Sequence, residues 1–323
     1  MGLFSFTQEL AIDLGTANTI IIQNDKIVLD EPSIVALDTS GNLKAVGYQA
    51  SLMHGKSHAN IRTVRPLRDG VIADFDAAEM MIRGMIKKIS SRSSIFAPSL
   101  RMVVCIPSGS TEVEIRAVRD SSEHAGGRDV YMIFEPMAAA MGIGLDVEAP
   151  VGHMIVDIGG GTTEIAVISL GGLVCNRSIR IAGDDFTSDI REYMGRMHNI
   201  KVDDPTAEAI KINVGSALTE LPDDQIPEDY LVVGPNRMTS LPLSIPISYQ
   251  EVAHCLDKSI SKIEAAILSA LEATPPELYA DIVRNGIHLT GGGALLRGLE
   301  ELIEEKTGIN TMTAEDPMKV VAI

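Results

Sequence analysis

Apolar and polar positions follow three recurring patterns along this chain, and each pattern predicts an element. Three stretches run from apolar, largely β-branched residues straight into glycine: Ala11-Ile12-Asp13-Leu14-Gly15, Ile155-Val156-Asp157-Ile158-Gly159-Gly160-Gly161 and Ile287-His288-Leu289-Thr290-Gly291-Gly292-Gly293. Such runs read as buried strands that end in a tight turn. The first two continue through Thr16-Ala17-Asn18-Thr19 and through Thr162-Thr163 into a second apolar run, so each predicts a hairpin; the third continues into Ala294-Leu295 and predicts a strand that opens a helix. Apolar residues three and four apart at Ala77, Met80, Met81, Met85, Ile86 and Ile89 predict an amphipathic helix from Asp76. Helices are also expected over 111–125, 183–197, 203–218 and 249–273, with Asp184 and Asp185 suited to a first turn. Residues 101–106 predict a buried strand, and residues 222–250, which carry five prolines, predict short strands and turns.

One helix is built differently. In Glu135-Pro136-Met137-Ala138-Ala139-Ala140-Met141-Gly142 the proline suits a first helical position and holds Glu135 extended just ahead of it. The small residues allow a close crossing with another element, as at a hinge. Glu135 has two readings: a carboxylate fixed for chemistry, or an acid that stabilises the positive end of the helix.

The glycine turns suggest the chemistry. Consecutive glycines let backbone N–H groups approach an anion with no Cβ in the way, and the threonines that follow add hydroxyl donors. Asp13 and Asp157 close the incoming strands, where a carboxylate beside a phosphate is repelled unless a divalent cation lies between them. Setting the first hairpin over the second places Asp13 on Asp157, Gly15 on Gly159 and Thr19 on Thr163, all at one offset of 144 residues. A repeat of this kind predicts two related halves, each contributing one phosphate hairpin to a shared cleft. The length of 323 residues agrees, since it exceeds what one hydrophobic core usually serves.

Composition narrows the partners. The chain is 45% hydrophobic but 4% aromatic with no Trp, so its cores are built from Ile, Val, Leu, Ala and Met. A net charge of −17 opposes direct binding to nucleic acid or to an anionic lipid surface. Cys105, Cys175 and Cys255 lie too far apart for metal-ligand or redox spacing and read as reduced, buried thiols of a cytoplasmic protein. No run of about twenty apolar residues and no cleavable signal is present, so no membrane span is expected. Leu3, Phe4 and Phe6 near the start, and Ile95 and Phe96 inside the polar loop from Ser90 to Ser99, have two readings, contact with a membrane surface or packing on the domain. His54 and His58 stand four apart with Gly55 between and no third ligand near, which argues against a metal site. Glu208 and Lys211 read most simply as a surface ion pair, and Glu300, Glu301, Glu304 and Glu305 as a solvated helix face.

Two Asp-x-Gly hairpins, a Glu-Pro-x-Ala-Ala-Ala helix and a late Gly-Gly-Gly-Ala turn, in that order, resemble the actin, sugar kinase and DnaK-type ATPase fold. The wording Asp13-Leu14-Gly15-Thr16-Ala17-Asn18-Thr19, Glu135-Pro136-Met137-Ala138-Ala139-Ala140 and Asp157-Ile158-Gly159-Gly160-Gly161-Thr162-Thr163-Glu164 is similar to the MreB family of bacterial actins, over nearly the whole chain. The resemblance implies an α/β, actin-like ATPase fold: a first half over 1–143 with a subdomain inserted near 33–75, and a second over 144–323 with one near 182–241. It implies that Gly15, Thr16, Ala17, Asn18, Gly159, Gly160, Gly161 and Thr162 bind the phosphates of ATP or ADP, with Asp13 and Asp157 holding Mg²⁺ through waters. Glu208, Ala209, Ile210 and Lys211 would flank the nucleoside, Gly291, Gly292, Gly293, Ala294 and Leu295 would close over it, and Glu135 would position the attacking water. It further implies a cytoplasmic protein at the inner face of the membrane that assembles into double filaments, works with cell-shape and wall-synthesis membrane proteins, and contacts lipid through Leu3, Phe4, Phe6, Ile95 and Phe96. A small-molecule kinase of sugar or acetate type is the competing reading, since it uses the same cleft. In the family the chain runs on past Asp316-Pro317 into a helix that crosses the Glu135-Pro136 helix, whereas this sequence stops at Ile323, about a turn into that element.

Overall fold

The computed structural model describes residues 7–56, 58–89 and 99–323; Leu3, Phe4, Phe6, Ile95 and Phe96 lie outside the described residues. The first half opens with β1 (Thr7–Leu14), β2 (Asn18–Gln23) and β3 (Lys26–Pro32), which pair antiparallel in sequence order. Next come β4 (Val35–Asp38), β5 (Leu43–Val46), the single turn α1 (Tyr48–Ser51) and β6 (Ile61–Val64), whose strands form a small sheet of order β5-β4-β6. A ribbon of β7 (Leu67–Arg68) and β8 (Val71–Ile72) leads to α2 (Phe75–Ile89), which buries the predicted stripe at Ala77, Met81, Met85 and Ile86. Then β9 (Ser99–Ile106), α3 (Glu112–His124), β10 (Gly127–Phe134) and α4 (Glu135–Ile143) complete this half. Thr111 and Glu114 form a reciprocal capping box that fixes where α3 begins.

The second half repeats the plan. It comprises β11 (His153–Ile158), β12 (Thr163–Ser169), β13 (Gly172–Ile179), α5 (Gly183–Met197), α6 (Asp204–Val214), β14 (Tyr230–Pro235), β15 (Pro242–Ile247), α7 (Tyr249–Glu272), α8 (Pro276–Asn285), β16 (Ile287–Thr290), a 3-10 turn (Gly292–Leu295), α9 (Leu299–Thr307) and β17 (Thr311–Thr313). The first main sheet has the order β3-β2-β1-β9-β10 and the second β13-β12-β11-β16-β17. In each, two antiparallel pairings are followed by two parallel ones, so the repeat seen between Asp13 and Asp157 extends to whole sheets. One face of β1 and β9 buries Leu10, Ile12, Met102 and Val104 against α2, while Met154, Val156 and Ile158 of β11 enter the core under α5 and α7. Between the two lies α4, where Ala138, Ala139 and Ala140 pack with Ile155, Ala166, Val320 and Val321. The approach is close enough that a Cβ on Gly142 would stand 2.0 Å from the carbonyl oxygen of Val320, so only glycine fits.

Four expectations need correction. The helix at Glu135 starts one residue earlier than expected: Phe134 is its extended N-cap, Glu135 lies in its first turn and Pro136 follows within that turn. Helix α6 stops at Val214 instead of 218, because Gly215 turns the chain out and a Cβ there would meet the Lys211 carbonyl oxygen at 2.2 Å. The third glycine cluster opens a single 3-10 turn, and the α-helix begins only at Leu299 after Gly298 in the left-handed region. Cys105 and Cys175 are buried, but Cys255 is half-exposed. Among the described residues no helix is long and apolar enough to cross a membrane.

Candidate functional site

The two hairpin turns meet face to face. The first is braced from β3 onward: the Ser33 hydroxyl donates to the Gly15 carbonyl at 2.6 Å, and the Ser33 amide donates to the Ala17 carbonyl at 2.9 Å. The second is braced from α5, whose Gly183 and Asp184 amides donate to the Gly159 and Gly160 carbonyls at 3.1 and 2.8 Å. With those carbonyls engaged on the far side, the turns press together, and a Cβ on Gly160 would sit 2.7 Å from Ala17 Cβ. Likewise a Cβ on Gly161 would sit 2.7 Å from Thr16 Oγ1. The turn between β7 and β8 wedges beside both. Gly70 donates its amide to Thr16 Oγ1 at 3.0 Å, and its positive φ of 75° and its proximity to Thr162 exclude a side chain there.

Three carboxylates converge on this junction, Asp13 from β1, Asp157 from β11 and Glu135 from the first turn of α4. Burial pushes Asp13 up from 3.8 to about 7, with further repulsion from Asp157 and Asp30. Burial pushes Asp157 up to about 6, in spite of a hydrogen bond from Thr290 Oγ1 at 3.0 Å and with added repulsion from Glu164. Burial, then Asp157, Asp13 and Glu164, holds Glu135 well above the ordinary carboxylate range. All three are desolvated, Glu135 is repelled by both aspartates and Asp13 by Asp157, which is the electrostatic setting that attracts a cation. Among the described residues no three His, Cys, Asp or Glu side chains stand close enough to form a complete metal cage. A hard divalent ion here would take one or two carboxylates and complete its shell with water and phosphate oxygens, as Mg²⁺ does.

The residues expected to flank and cover the adenosine come from α6 and the 3-10 turn, with α5 packed beside them. Glu208 and Lys211 are 2.7 Å apart, as their spacing suggests, but they are more than a surface pair. Lys211 Nζ donates to the Gly183 carbonyl at 2.9 Å and to Thr187 Oγ1 at 3.1 Å, while Thr187 Oγ1 lies 2.6 Å from Glu208 Oε2. This network bolts α6 to the α5 N-terminus that braces the second turn. Ile210 points away, fully buried in the core of the second half, and Ala209 is half-exposed. Gly291, at φ 80°, is packed so tightly on β11 that a Cβ would lie 2.6 Å from Asp157 Oδ1, and Gly293 is packed against Ile158. Ala294 is buried and Leu295 exposed.

Several groups at the junction escaped sequence reasoning. Arg65 bridges to Asp184 at 3.4 Å from the other half. Glu164 is fully buried, and its signal was present as a lone carboxylate in an otherwise apolar strand. The Asp69-Gly70 pair beside both turns reads in sequence only as an ordinary turn dipeptide. His54 Nδ1 is hydrogen-bonded with Thr63 Oγ1 at 2.8 Å. The acidic face of α9 is partly structural, since Glu300 accepts from the Thr313 amide at 2.8 Å and Glu304 from the Thr311 amide at 3.2 Å.

A family model described as MreB/Mbl protein matches residues 7–323. The cell shape-determining protein MreB of Escherichia coli is 47% identical over 323 residues, with 98% of this chain and 92% of that protein covered. The crystal structure of MreB 5 of Spiroplasma citri bound to AMPPNP superimposes with a TM-score of 0.89 at 37% identity, covering 98% of this chain and 93% of that one. The MamK double helical filament shares the fold at a TM-score of 0.81 and 20% identity, covering 98% and 96%.

Proposed function

The chain belongs to the MreB/Mbl family, and on that premise we propose that its cleft binds ATP with Mg²⁺, hydrolyses it when the two halves close, and couples this to assembly of a filament that maintains cell shape. The family role is cytoskeletal and built on a nucleotide-binding actin fold; phosphorylation of a small acceptor, the competing reading, is not supported by these relatives. The observation that carries the proposal is the convergence of Asp13, Asp157 and Glu135 where the two glycine turns touch. Residues 15–18 and 159–162 take the phosphates through backbone N–H groups of the two turns. Asp13 and Asp157 would hold Mg²⁺, and the bound ion would neutralise phosphate charge. Glu208 and Lys211, with Ala209 and the backbone at Ile210, flank the nucleoside, and Gly291 to Leu295 close over it. Glu135 positions the attacking water.

The division into halves at 143/144, with inserted subdomains near 33–75 and 182–241, belongs to the same reading. So do self-association, a cytoplasmic place at the inner membrane face, and partnership with cell-shape and wall-synthesis membrane proteins. Electron microscopy with and without ATP, alongside ATPase rate per subunit against protein concentration, tests it. Filaments should form with ATP, and the rate per subunit should rise across the assembly threshold, since neighbours hold the halves closed. A flat rate would separate hydrolysis from assembly and count against the proposal.

A further inference from the structure

Glu164 sits on β12 directly opposite Asp157 of β11, immediately after the phosphate turn. Strand alternation sends Ile165 and Val167 into the core of the second half and turns Ala166 and Ile168, and with them Glu164, toward α4 and the first half. A carboxylate buried this deeply is strongly unfavourable unless its lone pairs are matched. They are matched from both halves. Oε1 accepts from the Ser178 hydroxyl of the adjacent strand at 2.5 Å, while Oε2 accepts from both the amide and the hydroxyl of Ser108, at 2.9 and 2.5 Å. Ser108 belongs to the first half, in the loop that joins β9, the neighbour of Asp13's strand, to α3. Asn176 Nδ2 donates to the Ser108 hydroxyl at 3.2 Å and holds it from the second half.

Two of the three donors to Glu164 are thus supplied only while the halves are together. Opening would take away both Ser108 donors and leave Glu164 to Ser178 and water, so the carboxylate is held in one fixed geometry only in the closed arrangement. We propose that Glu164 and Ser108 form a clasp that positions the two phosphate turns for hydrolysis, with Glu164 acting as a positioning residue and not as a group that touches the nucleotide. This rests on the reading of the cleft as an ATPase site.

The test uses the full chain, wild type and the variants Glu164→Gln, Ser108→Ala, Ser108→Thr and the double variant Glu164→Gln with Ser108→Ala. ATP affinity, kcat per subunit and melting temperature are measured for each. Glu164→Gln and Ser108→Ala should hold ATP within about threefold of wild type while kcat falls by roughly 10- to 100-fold, the scale of a small misplacement of reacting groups. Ser108→Thr, which keeps the hydroxyl, should retain most of the activity. The double variant should be no slower than Glu164→Gln, because either change alone opens the clasp. A kcat within twofold of wild type in Ser108→Ala, or losses that multiply in the double variant, overturns the clasp and leaves the ATPase reading standing. If Glu164→Gln fails to fold, the Ser108 pair decides. Wild-type protein that neither binds nor hydrolyses ATP removes the underlying reading, and the clasp with it.

Discussion

Gly160 and Ala17 touch across the cleft, a Cβ on Gly160 falling 2.7 Å from Ala17 Cβ and 3.1 Å from its backbone nitrogen. They belong to different halves, so the junction proposed to take the phosphates exists in neither half alone.

Replacing Gly160 by alanine should force the turns apart, since the obstacle is partly backbone and cannot rotate away. Affinity for a fluorescent ATP analogue should drop by about tenfold or more, close to 1.4 kcal/mol, with the secondary structure intact by circular dichroism. Wild-type affinity would show that the contact is dispensable.

The raised carboxylates link pH to stability. In the nucleotide-free protein, Asp13 and Asp157 have folded-state values of about 7 and about 6 against an ordinary 3.8. Their stabilising contribution is therefore whole below about pH 4 and is lost as pH rises through those values. Asp13→Asn should melt above wild type at pH 7.5, by roughly 2–4 °C per kcal/mol recovered, and the difference should vanish near pH 4. The same variant should lose Mg²⁺-dependent ATP binding by about tenfold or more, because it removes one of the few carboxylates proposed to hold the metal. Scanning fluorimetry across pH, with and without Mg²⁺ and ADP, reads both effects; equal melting at pH 7.5 would contradict the electrostatic account.

Glu135→Ala separates binding from chemistry. Nucleotide affinity should persist while hydrolysis slows by roughly 10²-fold or more, the usual scale for a positioned base. Hydrolysis at the wild-type rate would reduce Glu135 to an acid that stabilises the start of α4.

Membrane attachment sets charge against apolar insertion. With a net charge of −17 the body is repelled by anionic lipid. On the proposed membrane-face location, attachment would fall to Leu3, Phe4, Phe6, Ile95 and Phe96, worth about 1.5–3 kcal/mol each when buried and opposed by ordering costs. One subunit should bind liposomes weakly and a filament strongly, through avidity. Charged replacements at Leu3, Phe4, Ile95 and Phe96 should abolish co-sedimentation with liposomes in the presence of ATP and leave filaments in solution. Binding that survives them would place the lipid contact elsewhere.

Local physics was legible in the sequence by itself. The stripe of α2 and the buried runs of β1 and β11 depend on neighbours within a few positions, so their elements fall where the pattern puts them. The offset between Asp13 and Asp157 went further and foretold two related halves, because a repeated hairpin carries its sheet topology with it. Tertiary structure alone decided the rest. That Lys211 reaches the Gly183 carbonyl, that Gly70 wedges between Thr16 and Thr162, and that Glu164 takes its donors from Ser108 follow from how sheets and crossovers bring together residues 28 to 92 positions apart. No periodicity records such meetings. A buried charge in a strand reveals that donors must exist, but only the packed halves determine which residues supply them.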